Sequence, residues 1–348
     1  MRTELINNKY ELQNFKDELE KELQTAEKFD MQNNCFKVKT VTTWIEEAKL
    51  RPIPKMLFSE LWFENELCIL FSDSNLGKSA LAIQIANSIS KGFSIDGFKL
   101  EMPPQKVLYF DFELSDKQLE KRYSNNFEDH YEFNPNLLRA EINPEQYTPP
   151  EFQTFEEFLC NSIEQTVIIE NVKILIVDNL TYLKNDTEKA KDALQLMKML
   201  NNLKRKYGLS ILVLAHTPKR DATKPISKND LSGSKMLMNF CDSCFAIGES
   251  FRENGLRYLK QIKQRNTEQI YDTRNVIICK MENPSNFLQF NFIGYENELE
   301  HLKQYTQTDS DDRLTKVLEL KSQGMANTKI AEMLHCSEGT VRLILKNQ

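Results

Sequence analysis

Short runs of consecutive apolar residues recur along the chain, at 67–71, 107–110, 174–177, 211–215 and 244–247. Runs this short, without alternation, are what parallel strands covered on both faces require. Between them the apolar positions change period. Ala80, Leu81, Ile85, Ala86 and Ile89 share one face at helical spacing. A helix is expected from Ser115, with Gln118 as its capping-box partner, and another over 150–164, opened by Pro149 and Pro150. A longer one over 187–207 stops at Gly208. A strand is expected over 137–142. A short helix precedes the strand at 243–248, and adjacent strands over 256–263, 275–281 and 287–293 close the domain. Strands alternating with helices, then neighbouring strands, predict an α/β domain whose sheet is parallel at its centre.

Both ends read differently. Over 8–31, Leu12, Phe15, Leu19, Leu23 and Ala26 recur at three- and four-residue steps amid Glu and Lys. That pattern predicts an exposed helix, docked on its own domain or on a neighbouring subunit. Residues 36–63 form a lead-in with Trp44, Pro52, Pro54 and Trp62. Residues 305–312 are polar and acidic, as a linker would be. Beyond them, Val317, Leu318 and Leu320 belong to a helix stopping near Gly324. Asn327 can cap a second helix, carrying Ile330, Ala331 and Leu334. After a turn at His335 and Cys336, Ser337 can cap a third, carrying Val341, Ile344 and Leu345. Two short helices joined by a tight turn read as a helix-turn-helix. The organisation expected is an N-terminal charged helix (1–34), a main domain (35–304), a linker (305–312) and a small all-α module (313–348).

Candidate chemistry sits after the first apolar run. Ser72-Asp73-Ser74-Asn75-Leu76-Gly77-Lys78-Ser79 joins a strand to a helix, the setting a phosphate-binding loop needs. Unpaired N–H groups at a helix start point at an anion, and the helix dipole favours negative charge there. Lys78 would reach the outer phosphates of ATP and Ser79 would ligate Mg2+. Two positions depart from G-x-x-x-x-G-K-[ST]: Ser72 replaces the opening glycine, and Asn75 stands where a glycine is common. Asparagine tolerates positive φ better than most residues. Asp178, at the tip of an apolar run, is the second candidate magnesium ligand. Asn179 follows it, so the base that activates water must lie elsewhere; Glu113 is the first candidate and Asp111 the second.

Composition narrows the class. Of 348 residues, 40% are hydrophobic and 28% charged, which describes a soluble globular protein. The apolar runs are far shorter than a membrane span and the first thirty residues are charged, so a cytoplasmic protein without membrane contact is expected. The seven cysteines form no disulfide framework, and Cys241 and Cys244 read as small buried residues rather than a metal or redox pair. Net charge is −6, so any nucleic acid must meet a local basic surface. Two stretches offer one: Lys219, Arg220, Lys224 and Lys228 in the 217–230 loop, and Arg342 and Lys346 in the tail. A solvated turn and a docking module are the plainer readings of these.

The motifs, taken in order, resemble a known family. Residues 107–115, reading VLYFDFELS, resemble the catalytic-glutamate strand of RecA-like ATPases, and Glu-Leu-Ser with Gln118-Leu119 is similar to DnaB-type hexameric helicases. Residues 212–217, LVLAHT, resemble the strand whose polar tip senses the γ-phosphate; His216-Thr217 is close to plasmid RepA-type helicases. Residues 260–266, KQIKQRN, resemble the family's late Lys-x-Arg element, putting Lys263 and Arg265 at a neighbour's nucleotide. The resemblance covers roughly 58–293. It implies a RecA-like P-loop ATPase core in a homo-hexamer, with Glu113, Asp178, His216, Lys263 and Arg265 as catalytic residues. It also implies a central channel for single-stranded DNA, lined by loops such as 217–230. The expected function is an ATP-driven DNA motor, a replicative-type helicase of a plasmid or mobile element. The alternatives are a DNA-bound ATPase switch that unwinds nothing, and a DNA-binding protein that no longer hydrolyses nucleotide.

Overall fold

The computed structural model describes residues 36–179, 189–217, 220–231, 234–304, 307–334 and 336–346. The helix expected over 8–31, Lys219 and His335 lie outside them. The chain divides into two compact units after Ile53. The described part of the first holds helix α1 (Val41–Lys49), whose N-cap Thr40 accepts the Thr43 N–H at 3.1 Å.

The second unit begins with a small hairpin, β1 (Met56–Phe58) and β2 (Trp62–Phe63). Then come β3 (Leu67–Ser72), α2 (Lys78–Lys91), β4 (Val107–Asp111) and α3 (Asp116–Arg122). A two-residue ladder, β5 (Ser124–Asn125) with β6 (Asp129–His130), precedes β7 (Leu137–Ala140). Next are α4 (Phe155–Glu170), β8 (Ile174–Asp178), α5 (Lys189–Tyr207), β9 (Ser210–His216), α6 (Ser234–Phe240) and β10 (Ser243–Glu249). Finally β11 (Leu256–Lys263), β12 (Val276–Glu282) and β13 (Gln289–Glu296) follow one another. One nine-stranded sheet runs β13-β12-β11-β10-β3-β9-β8-β4-β7. From β10 to β7 every pairing is parallel, and the last three strands join antiparallel.

Alternation along the buried strands builds two cores. Leu67, Ile69 and Phe71 of β3 pack with Leu175 and Val177 of β8 beneath α4 and α5. Cys68 and Leu70, with Ile174 and Ile176, pack on the other face beneath α2. The sheet is thus covered on both sides, which is why its central strands carry no polar alternation.

Several boundaries differ from expectation. Helix α4 starts at Phe155 rather than 150, because Thr154 Oγ1 accepts the Glu157 N–H at 3.2 Å and supplies the cap that two prolines cannot. In the tail, α7 (Gln307–Ser322) already includes residues 307–312, read above as linker. Helix α8 (Asn327–Met333) has Ala326 at its N-cap; Asn327 Oδ1 instead accepts the Lys321 ammonium at 2.7 Å. In α9 (Glu338–Lys346), Ser337 Oγ accepts the Thr340 N–H at 3.0 Å, the expected cap. The three tail helices close around Val317, Ile330, Ala331 and Val341, a core of their own.

Candidate nucleotide site

The carboxyl ends of β3, β4, β8 and β9 meet in register, Ser72 beside His216 and Asp111 beside Asp178. The loop leaving β3 carries Asn75 at φ 64° and turns into α2 through Gly77 at φ 93°. A Cβ on Gly77 would also stand 2.5 Å from Met281 Sδ and 2.9 Å from the Phe290 ring, so glycine is required twice over. Gly77 gives α2 no side-chain cap, leaving the first N–H groups of the helix for an anion. Ser72 takes the place of the opening glycine without positive φ. Its hydroxyl donates to Asp73 O at 2.8 Å and accepts from Lys78 Nζ at 3.3 Å.

Lys78 is buried. Its ammonium donates to Ser72 O and Asp73 O, each at 3.2 Å, and to His216 Nδ1 at 3.1 Å. Burial lowers its pKa, against the charges of Asp178, Glu113 and Asp73. The other ring nitrogen of His216 lies 3.4 Å from Glu113 Oε1. Asn179 closes the group, its side-chain amide against Glu113 Oε1 and 3.0 Å from His216 Nε2. The His216 hydrogen bond, with help from Asn179 and Lys78, holds the Glu113 carboxyl below its ordinary pKa despite partial burial. Glu113 is therefore an ionised acceptor at neutral pH.

Asp111, the second candidate base, is occupied. Its Oδ1 accepts the N–H groups of Glu113 (3.1 Å) and Leu114 (2.9 Å), and its Oδ2 accepts Arg139 Nε at 3.0 Å. It shapes the turn that presents Glu113. Asp178 is fully buried. Its Oδ2 accepts the Tyr109 hydroxyl at 2.7 Å, while Oδ1 has no hydrogen-bond partner among the described residues. Burial raises its pKa to about 6, the Ser79 and Tyr109 hydroxyls working against that rise. An orphaned carboxylate oxygen near a serine hydroxyl at the mouth of a phosphate loop fits a small hard cation taking oxygen ligands.

A cleft of about 480 Å³ opens over these groups. Ser74, Asn75, Lys78, Ser79, Glu113 and His216 form its polar wall, which Gly77, Ala80, Arg122, Met281 and Leu288 complete. The last three carry no motif; α3 and the late strands bring them in from positions that sequence spacing cannot relate.

The other candidates fall elsewhere. Lys263 lies opposite Cys244, and Ser72 opposite Ile247, on the two sides of β10. Lys263 and Arg265 thus sit toward the amino ends of the parallel strands, Arg265 roughly 17 Å along the strand direction from the phosphate loop. Lys263 donates to Cys241 O at 2.7 Å and to Met238 O. Arg265, 56% exposed, pairs with Asp242 Oδ1 at 3.1 Å. In the 217–230 loop, Arg220 is turned inward against Asp73. Lys224 is exposed and 3.2 Å from Asp221, and Lys228 is exposed on a single 3-10 turn. In the tail, Arg342 pairs with Glu338 at 2.7 Å and Lys346 is exposed. Cys241 and Cys244 are buried, and no cluster of three metal-binding side chains occurs among the described residues. No described helix is long and apolar enough to cross a membrane.

A loop of this shape, on the central strand of a parallel sheet with an acid at the tip of β8, defines a RecA-like P-loop ATPase core. The family described as AAA domain matches residues 32–222, more than half the chain, and the protein belongs to that family. No curated protein matches it. Among solved structures it is similar to a KaiC-like protein from the hyperthermophilic archaeon Pyrococcus horikoshii OT3. The two are 13% identical, with a TM-score of 0.46 over 66% of this chain and 91% of that one.

Proposed function

We propose that this chain hydrolyses ATP and couples the cycle to DNA, as a replicative-type helicase ring of a plasmid or mobile element. The observation that carries hydrolysis is the Lys78–His216–Glu113 succession along one cleft. Lys78 and the first N–H groups of α2 grip phosphate, and Glu113 takes the proton of the attacking water. His216 stands between them, where it meets the terminal phosphate. Ser79 and Asp178 would hold Mg2+, which offsets charge on the phosphates when bound. Met281 and Leu288 offer an apolar wall for the base.

Six copies in a ring would put Arg265 of one subunit at the nucleotide of the next. Its distance from its own phosphate loop supports a role in trans. Single-stranded DNA would run through the channel past Lys224 and Lys228. The three tail helices read as a helix-turn-helix, with Arg342 and Lys346 toward duplex. The second reading, a DNA-bound ATPase switch, draws support from the loop itself: among its described residues the Arg220 side chain is turned inward and Lys224 is paired with Asp221. ATP turnover with and without single-stranded DNA, followed by unwinding of a forked duplex, tests the proposal. Stimulated turnover with strand separation supports the motor, and stimulated turnover without it supports the switch. No turnover in either condition overturns both.

A further inference from the structure

Asp73 is a carboxylate inside a loop shaped for an anion. Its own carbonyl accepts the Lys78 ammonium at 3.2 Å, so its backbone is part of the phosphate grip. The side chain does not face solvent alone. The Thr217 hydroxyl donates to its Oδ1, and Arg220 Nε stands 3.5 Å from its Oδ2. Thr217 N–H also donates to Ser72 O at 3.1 Å, so the two loops are joined along the backbone as well.

Arg220 differs from Lys224 and Lys228, the other described basic residues of its loop. Its side chain is only 6% exposed, and Nη1 donates to Lys224 O at 2.9 Å. Among the described residues Asp73 is the one carboxylate within ion-pair distance of it. A buried guanidinium needs a counter-charge, and here that charge belongs to the phosphate loop. The field of Asp73 reaches the Lys78 ammonium and attracts it. The same field acts with opposite sign on any phosphate that Lys78 binds.

We infer that Arg220 is a positioning residue of the nucleotide site: it masks Asp73, holding that carboxylate turned away and neutralised so that the loop can accept polyphosphate. This rests on the reading of the cleft as a nucleotide site, and it takes Arg220 out of the DNA-binding surface. Thr217 supports the same arrangement by filling the second oxygen.

The test is equilibrium binding of a fluorescent ATP analogue to the full-length chain and to R220M, D73N and D73N/R220M. Unmasking should make R220M bind roughly tenfold more weakly. D73N should bind several-fold more tightly than the native chain. The double variant, with neither charge, should return to within about threefold of native affinity, because removing both partners leaves no buried charge unpaired. The R220M deficit should also shrink as salt rises from about 50 to about 500 mM. Thermal melts identify a misfolded R220M, and the double variant then carries the comparison with D73N. A double variant that binds as weakly as R220M would overturn the inference, since Arg220 would then act on the nucleotide or on the fold directly. Native affinity in R220M would also overturn it. A native chain that binds no analogue would overturn the nucleotide reading along with it, an outcome distinct from either of these.

Discussion

Lys78 Nζ stands 3.1 Å from His216 Nδ1. An ammonium can only donate, so Nδ1 accepts, and the opposite nitrogen Nε2 faces Glu113 Oε1 and the Asn179 amide. The imidazole therefore ties the group that grips phosphate to the group that would activate water. His216→Ala should lower ATP turnover about a hundredfold while changing nucleotide affinity far less, because Lys78 keeps its loop carbonyls. Single-turnover hydrolysis beside equilibrium binding checks this. Equal losses in both would make His216 a binding residue.

The two carboxylates after β4 should separate cleanly. Glu113→Gln should keep nucleotide binding and lose hydrolysis, since an amide cannot take the proton of water. Asp111→Asn should instead cost about 2–4 kcal/mol of stability, by disturbing a buried carboxylate that holds two N–H groups and Arg139. Denaturant unfolding and turnover, measured on both variants, distinguish them. Normal turnover in Glu113→Gln would return the role of base to Asp111.

Asp178 should trade stability for chemistry. Its folded pKa of about 6 lies above the unfolded value. The folded carboxyl thus holds its proton more tightly, and ionising it in place is unfavourable. The destabilisation is absent well below the unfolded value of about 3.9, grows as pH rises between the two, and is complete above about 6. Asp178→Asn should therefore stabilise the nucleotide-free protein by about 2–3 kcal/mol at pH 7.5 and by almost nothing near pH 4. The Tyr109 hydroxyl can still donate to the amide oxygen. Magnesium-dependent hydrolysis should be lost. Melting curves across that pH range decide the matter, and a lower melting temperature at pH 7.5 would contradict the account.

Arg265 cannot serve the phosphate loop of its own chain from the far end of the sheet. If it acts in trans, Arg265→Ala and Glu113→Ala should each be inactive alone and recover activity when mixed before assembly. Random equal mixing leaves about a quarter of interfaces with both groups. Turnover of the mixture, with subunit exchange verified, is the measurement. Full activity of Arg265→Ala by itself would end the role.

Much of this protein is local in origin and was legible along the chain. Unbroken apolar runs specify strands buried on both faces, and parallel strands deliver their carboxyl tips to one edge. Glu113 and Asp178 therefore stand out as candidates from strand position, and His216 from its resemblance to the family's sensor strand. Asn75 and Gly77 announce positive φ because few other residues adopt it. What only the tertiary structure decided is which polar groups satisfy one another. Asp111 and Glu113 are two residues apart on one strand end, yet Arg139 engages the first and leaves the second to the cleft. Arg220 reads as one more solvated cation until Asp73 lies against it. Arg122, Met281 and Leu288 line the site with no signal at all. Periodicity records the face a residue presents, whereas ion pairs and hydrogen bonds join positions such as Lys78 and His216 that are 138 residues apart. Those pairings exist only once the sheet has set its strands side by side.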